Sequence, residues 1–363
     1  MSFETRKELY SEIEEKRNRP LVAYITSIRP NASASMASDA IQGIIKQVQI
    51  IPAERKDVDF LLVSNGGDPI TSLRIISILR ERFRRVSVLI PYVAYSAATV
   101  LSLGADEIIM HPFSSLGPVD PQITVESKNK PNTRINFSTE DLSSYIDFLK
   151  TDVGISDQEH LISAFNSLTA EIGPQEIGFS KRSQQLSLSL SQKMLEEHMT
   201  DKNKAKTIAK SLMSSYYHHG YAVSRKEAKK IGLPIVFPEK NLEELIWAVW
   251  EDFNQEMKCD KAFDPLQEIL KKSEVYDKLM KIPVLNIPVD LPEELKQQVF
   301  QQIIQSFCCS YQTAETTSTF LAAIESLQKG LHVYQNFEIL VWRDIQMKLL
   351  SNITTHSEGW KEL

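Results

Sequence analysis

Short, nearly unbroken apolar runs alternate with amphipathic ones along the first third of the chain. "PLVAYIT" at 20–26, "VDFLLVS" at 58–64, "VSVLIP" at 86–91 and "DEIIMHP" at 106–112 read as strands buried on both faces. Between them, "MASDAIQGIIKQVQII", "PITSLRIISILRERF" and "SAATVLSLGA" carry apolar residues at helical spacing, and a charged amphipathic helix is predicted over 4–18. Strands alternating with helices through short Gly and Pro turns predict a parallel α/β core with right-handed crossovers.

From about residue 138 the pattern is mostly helical, in "STEDLSSYIDFLKTDVG", "QEIGFSKRSQQLSLSLSQKMLEEHM" and "KNKAKTIAKSLMSSYYHH". Ser224 and Glu227 in "SRKEAKKIGLPI" have capping-box spacing, and Gly232 ends that short helix. After about residue 240, "NLEELIWAVWEDF", "LPEELKQQVFQQIIQSF" and "YQNFEILVWRDIQMKLL" predict a helical extension, interrupted by the Pro-containing stretch at 281–294. The expected domains are an N-terminal helix at 1–19, an α/β domain at 20–238 and a helical C-terminal extension at 239–363.

Composition narrows the function. Among 363 residues the formal charge is −6, and the one dense basic run, "RERFRR" at 80–85, reads as a solvated helix end, so no nucleic-acid groove is expected. The N-terminus lacks an apolar leader and no apolar stretch approaches 18 residues, so a cytoplasmic protein without an integral membrane segment is expected. Cys259, Cys308 and Cys309 form neither a disulfide framework nor zinc spacing and are expected to be buried thiols; neither a metal nor a cofactor is expected.

The candidate chemistry lies in "YVAYSAATVLSLGADEIIMHPFSSLGPVDPQI". Ser96 stands after a strand and at the start of a helix, where open α/β folds place their sites, and Ala94, Ala97 and Ala98 leave room for a substrate backbone. Alone, it would be read as a helix cap. The double glycine of "LLVSNGGDP" shifts the reading, because Gly66 and Gly67 lie at a second strand-to-helix turn and can direct backbone N–H groups at a carbonyl oxygen. Nucleophile and oxyanion donors would then sit on adjacent strand ends.

"SNGGDP", "PYVAYSAATVLSLGADEIIMHPFSSLGPVDPQ" and "HGYAVSRKEAKKIGLPI" together resemble the serine dehydrogenase proteinase (SDH) family, relatives of signal peptide peptidase A with a Clp/crotonase fold. The resemblance spans about residues 20–237. It implies a superhelix of ββα units, Ser96 as nucleophile, an oxyanion hole at Gly66, Gly67 and Ala97, a peptide or protein substrate, and a homo-oligomer of trimeric or higher order.

The general base departs from the better-known relatives. Clp proteases carry a histidine about two dozen residues after the serine and an acid about a dozen before the glycine of an "A-x-x-x-G-L" ending. Here the first place holds Asp120 and the second holds His219, so acid and histidine are exchanged. A triad is defined by geometry and roles, and the expected one is Ser96–His219–Asp120. A Ser-Lys dyad, as in signal peptide peptidase A, is the alternative, with Lys150 or Lys181 as base. His111, at the end of the "DEIIM" strand and followed by Pro112, is read as structural.

The expected activity is that of a serine endopeptidase that needs no ATP of its own, since the chain has no glycine-rich phosphate loop. Two other classes compete. One is a catalytically inactive oligomeric scaffold working through its C-terminal extension, where Trp247, Trp250 and Trp342 are expected on apolar-patterned helices. The other is a crotonase-type acyl-CoA enzyme, disfavoured because no Glu flanks either turn.

Overall fold

The computed structural model describes residues 3–128, 132–216, 218–280, 292–310, 312–344 and 348–363, apart from the side chains of 304 and 306–310. Two compact units emerge. The first comprises 1–26, 34–253 and 323–330, and the second 27–33, 254–322 and 331–363.

The first unit is built on parallel strands in the order Ile235–Val236, Glu107–Met110, Arg85–Ile90, Asp57–Val63 and Leu21–Thr26. These are the apolar runs of the sequence, and all six residues of Leu21–Thr26 are buried. Each crossover returns through a helix, as in Ala40–Ile50, Pro69–Arg82 and Ala97–Leu103. Short second strands follow two of the sheet strands, Val93–Ala94 after Arg85–Ile90, which with helix Ala97–Leu103 makes a ββα unit, and Ser115–Leu116 after Glu107–Met110, in a Clp/crotonase-like α/β arrangement. Of the capping box expected at Ser224 the serine half is present, its side chain accepting the Glu227 N–H at 3.3 Å ahead of helix Arg225–Lys230, while the Glu227 carboxylate accepts from the Tyr221 hydroxyl.

Helix Phe3–Arg17 belongs to this unit. Its Arg6 is fully buried and forks onto the Glu325 carboxylate at 2.7 and 3.0 Å, reaches Asp252 at 2.9 Å, and lies over the Phe253 ring. The basic run at 80–85 lies at a partly exposed helix end, where Arg80 pairs with Asp106, Arg85 with Glu107, and Arg82 donates to the carbonyls of Ile51, Pro52 and Arg55.

Beyond residue 121 the chain forms an antiparallel hairpin, Gln122–Glu126 with Arg134–Ser138, and then the helices Thr139–Thr151, Gln158–Ile172, Pro174–Glu196 and Lys202–Ser214. One face of the hairpin packs Ile123, Val125, Ile135 and Phe137 with Leu142, Leu168, Ile172 and Ile177.

The C-terminal region corrects the expectation of a wholly helical extension. Helices Lys240–Met257 and Glu293–Ser310 are as expected, but Thr313–Glu325, Gly330–Arg343 and Leu349–Glu362 are long antiparallel strands, and Trp342 lies on one of them. Phe337, Ile339 and Val341 are buried while Glu338 and Leu340 are exposed, a period of two. Phe337, Leu340 and Val341 also satisfy helical spacing, which is why that segment reads as a helix. The second unit buries Phe337, Ile339 and Val341 with Phe263, Ile269, Val275 and Leu279. Most of the Pro-containing stretch, and the Cys308 and Cys309 side chains, lie outside the described residues. Cys259 is a half-buried free thiol whose pKa burial pushes up. Among the described residues no helix is long and apolar enough to cross a membrane, and no cluster of metal-ligating side chains occurs.

Candidate active site

Three two-residue strands gather the candidate residues. Val93–Ala94 runs parallel to Ser115–Leu116, and Val223–Ser224 runs antiparallel to the latter. Ser64 bridges Ala94 in parallel, its N–H donating to the Val93 carbonyl and its carbonyl accepting the Tyr95 N–H, each at 3.0 Å. Chain that leaves Ser64, Ala94 and Leu116, and chain that enters Val223, therefore emerges at one edge. Gly66 and Gly67, Ser96, Asp120 and His219 all lie within four residues of these strand ends.

Ser96 is not a cap. It precedes helix Ala97–Leu103 at φ 51° and ψ −117°, and its side chain makes no capping hydrogen bond. A non-glycine residue in that region costs about 1–3 kcal/mol, a strain tolerated where it aims a side chain. Ser96 is half-buried, and among the described residues its Oγ has no hydrogen-bond partner.

The two glycines divide their tasks. Gly66 is buried at φ 101°, and a Cβ there would stand 2.8 Å from the Ser96 Cβ and 2.6 Å from the Tyr95 carbonyl oxygen. Its N–H donates to Ser64 Oγ at 3.0 Å and its carbonyl accepts from Met36, so it shapes the turn and has no donor to spare, contrary to the expectation that it donates to an oxyanion. Gly67 is exposed at φ 148°, and a Cβ there would meet the Met36 backbone. Among the described residues the N–H groups of Gly67 and Ala97 donate no hydrogen bond.

Asp120 and His219 bond to each other, Nδ1 to Oδ1 at 2.8 Å, with 8% of the Asp120 side chain and 33% of the His219 side chain exposed. The carboxylate accepts at Nδ1, which leaves Nε2 as the basic nitrogen. The other carboxylate oxygen accepts from Gln122 Nε2 at 2.8 Å and from Ser138 Oγ at 2.9 Å. A cavity of about 130 Å³ adjoins the pair, lined also by Glu140, Asp141, Tyr216 and His218. No hydrogen bond joins His219 to Ser96.

Residues 3–136 match the family model of ClpP-like SDH-type serine proteinases. The matched segment holds Gly66, Gly67, Ser96 and Asp120 and stops short of Ser138 and His219. Two uncharacterized proteins of Methanocaldococcus jannaschii are similar. MJ1495 is 26% identical over 233 residues, 64% of this chain and 69% of its own, and MJ0137 is 26% identical over 212 residues, 58% and 63%. Two solved variants of the 1510-N membrane-bound stomatin-specific protease superpose at low scores. One, at 13% identity and a TM-score of 0.36, covers 61% of this chain and 82% of that one; the other, in complex with a substrate peptide, has 15% identity, a TM-score of 0.35, and 61% and 77% coverage.

The Ser-Lys dyad expected as the alternative has little to build on among the described residues. Lys150 and Lys181 are exposed on helices Thr139–Thr151 and Pro174–Glu196, and Lys181 donates to Gln184 at 3.0 Å. A lysine base requires desolvation to lose its proton near neutral pH, and neither site supplies it. His111 is structural: its ring stacks on Trp247, Nδ1 accepts the Phe113 N–H, and burial lowers its pKa. The sequence did not point to Ser138 and Gln122. "STED" at 138–141 announces a helix start, which it is, and that explanation hides the second bond of the serine.

Proposed function

We propose that the protein is an ATP-independent serine peptidase in which Ser96 Oγ attacks the scissile carbonyl and His219 Nε2 takes its proton. The proton passes to the leaving amine, and His219 then activates the water that hydrolyses the acyl-enzyme. Asp120 orients the imidazole through Nδ1. The N–H groups of Gly67 and Ala97, without internal partners, receive the oxyanion, and Gly66 holds the turn against Ser96. The Ser96–His219 bond closes in the substrate complex, where such bonds commonly tighten.

The observation that carries this reading is the Asp120–His219 bond, made on the same strand-end edge as a strained, uncapped serine. The family match of residues 3–136 supports the same class. A homo-oligomer is part of the proposal, motivated by exposed Phe148, Ile162, Phe165 and Phe179 on neighbouring helices. A fluorophosphonate probe tests the enzyme: it should label wild type and spare Ser96→Ala. A folded wild type that is not labelled would favour the scaffold.

A further inference from the structure

We propose that Ser138 and Gln122 act as a clamp on Asp120, positioning His219 through it, with the Ser138 proton aimed by the helix that the same hydroxyl caps. This rests on the peptidase reading above.

Ser138 and Gln122 are cross-strand partners at the open end of the hairpin. Alternation turns Ile123, Val125, Ile135 and Phe137 into the apolar layer under the helices and leaves Gln122 and Ser138 on the opposite side, where both reach the same oxygen of Asp120. The hairpin therefore converts the stiffness of a packed layer into the orientation of one carboxylate.

The proton of Ser138 has a defined direction. Its Oγ accepts the Glu140 N–H at 3.1 Å as cap of helix Thr139–Thr151, and its own N–H donates to Asp141 at 2.7 Å. With the oxygen engaged by the helix start, the hydroxyl proton goes to Asp120. The Thr139 N–H, donating to the Pro121 carbonyl at 3.1 Å, ties the same helix to the loop that carries Asp120. A carboxylate held only at Oδ1 can swing about its last torsion and take the imidazole with it. Held at both oxygens, it presents Nε2 in one orientation.

Substitutions at 138 separate capping from donation. Threonine keeps the hydroxyl. Aspartate caps a helix as well as serine does but has no proton to give, and it sets a second carboxylate against Asp120. Ser138→Thr should retain kcat within about threefold, while Ser138→Asp should lower kcat on the order of tenfold to a hundredfold with little change in KM, in a protein whose Tm falls modestly because two carboxylates face each other. Gln122→Leu, at an exposed position, removes the other donor without touching the cap and should lower kcat by a smaller factor. Wild-type kcat in a stably folded Ser138→Asp protein would overturn the clamp. Should Ser138→Asp fail to fold, wild-type kcat in Gln122→Leu would do so.

A second readout does not depend on turnover. The downfield proton resonance of the His219 ring N–H bonded to Asp120 should be kept in Ser138→Thr and displaced or broadened in Ser138→Asp and Gln122→Leu. A wild type that shows this pattern but neither cleaves peptides nor labels with fluorophosphonate would refute the peptidase reading and leave the clamp standing. An unmoved resonance in the variants would refute the clamp alone.

Discussion

Gly66 abuts Ser96 so closely that a single methyl group added to it would stand 2.8 Å from the serine Cβ. The same carbon would overlap the Tyr95 carbonyl oxygen at 2.6 Å, and the backbone at φ 101° disfavours any L side chain. Gly66→Ala should therefore lose on the order of 2–4 kcal/mol in urea unfolding and give up fluorophosphonate labelling even in the fraction that remains folded. Wild-type stability together with wild-type labelling would mean that the turn adapts and does not set the serine.

If Ser96 and His219 act as one unit, either alanine substitution should remove most of the rate, on the order of a thousandfold, and the double variant should be little slower than each single one. Asp120→Ala should cost less than His219→Ala, because the acid orients the base and does not itself take the Ser96 proton. Probe reactivity retained in folded His219→Ala protein would exclude the histidine.

Lys150 and Lys181 provide the opposite control. Both are exposed, so Lys150→Ala and Lys181→Ala should leave kcat/KM within about twofold and stability within about 0.5 kcal/mol. Loss of labelling in either variant would restore the dyad.

The legible parts of this fold are those where one pattern had one meaning. Leu21–Thr26 and Arg85–Ile90 read as strands because strands buried on both faces need continuous apolar sequence. Ser96 and the glycine pair were visible through their small neighbours, whereas the positive φ of Ser96 leaves no mark on composition. The resemblance to Clp proteases, carried over position by position, drew Asp120 and His219 together across 98 intervening residues, and their side chains do bond. The hairpin at 122–138 escaped because "QITVE" and "RINFS" are each only five residues long, too short for their alternation to stand out. The strand Gly330–Arg343 was hidden by apolar positions that fit both periods.

The last expectation concerns stability against pH, and its source is the half-buried imidazole of His198. Burial is the largest cause depressing its pKa below the usual histidine value, opposed by a hydrogen bond at 3.0 Å between its Nε2 and the Leu103 carbonyl. The folded state thus prefers the neutral ring, while an unfolded histidine takes up a proton near pH 6.5. Below that value the unfolded chain binds more protons than the native one, so this histidine must lower stability as pH falls through 6.5, until the native ring also protonates. His111 has the same sign, also chiefly from burial, so the two add. Urea unfolding at pH 7.5 and 5.5 should show wild type losing stability on acidification, and His198→Gln, whose amide can still donate to Leu103, losing less. If the variant loses as much as wild type, His198 is not a source of the acid sensitivity, and other titrating groups, His111 among them, must carry it.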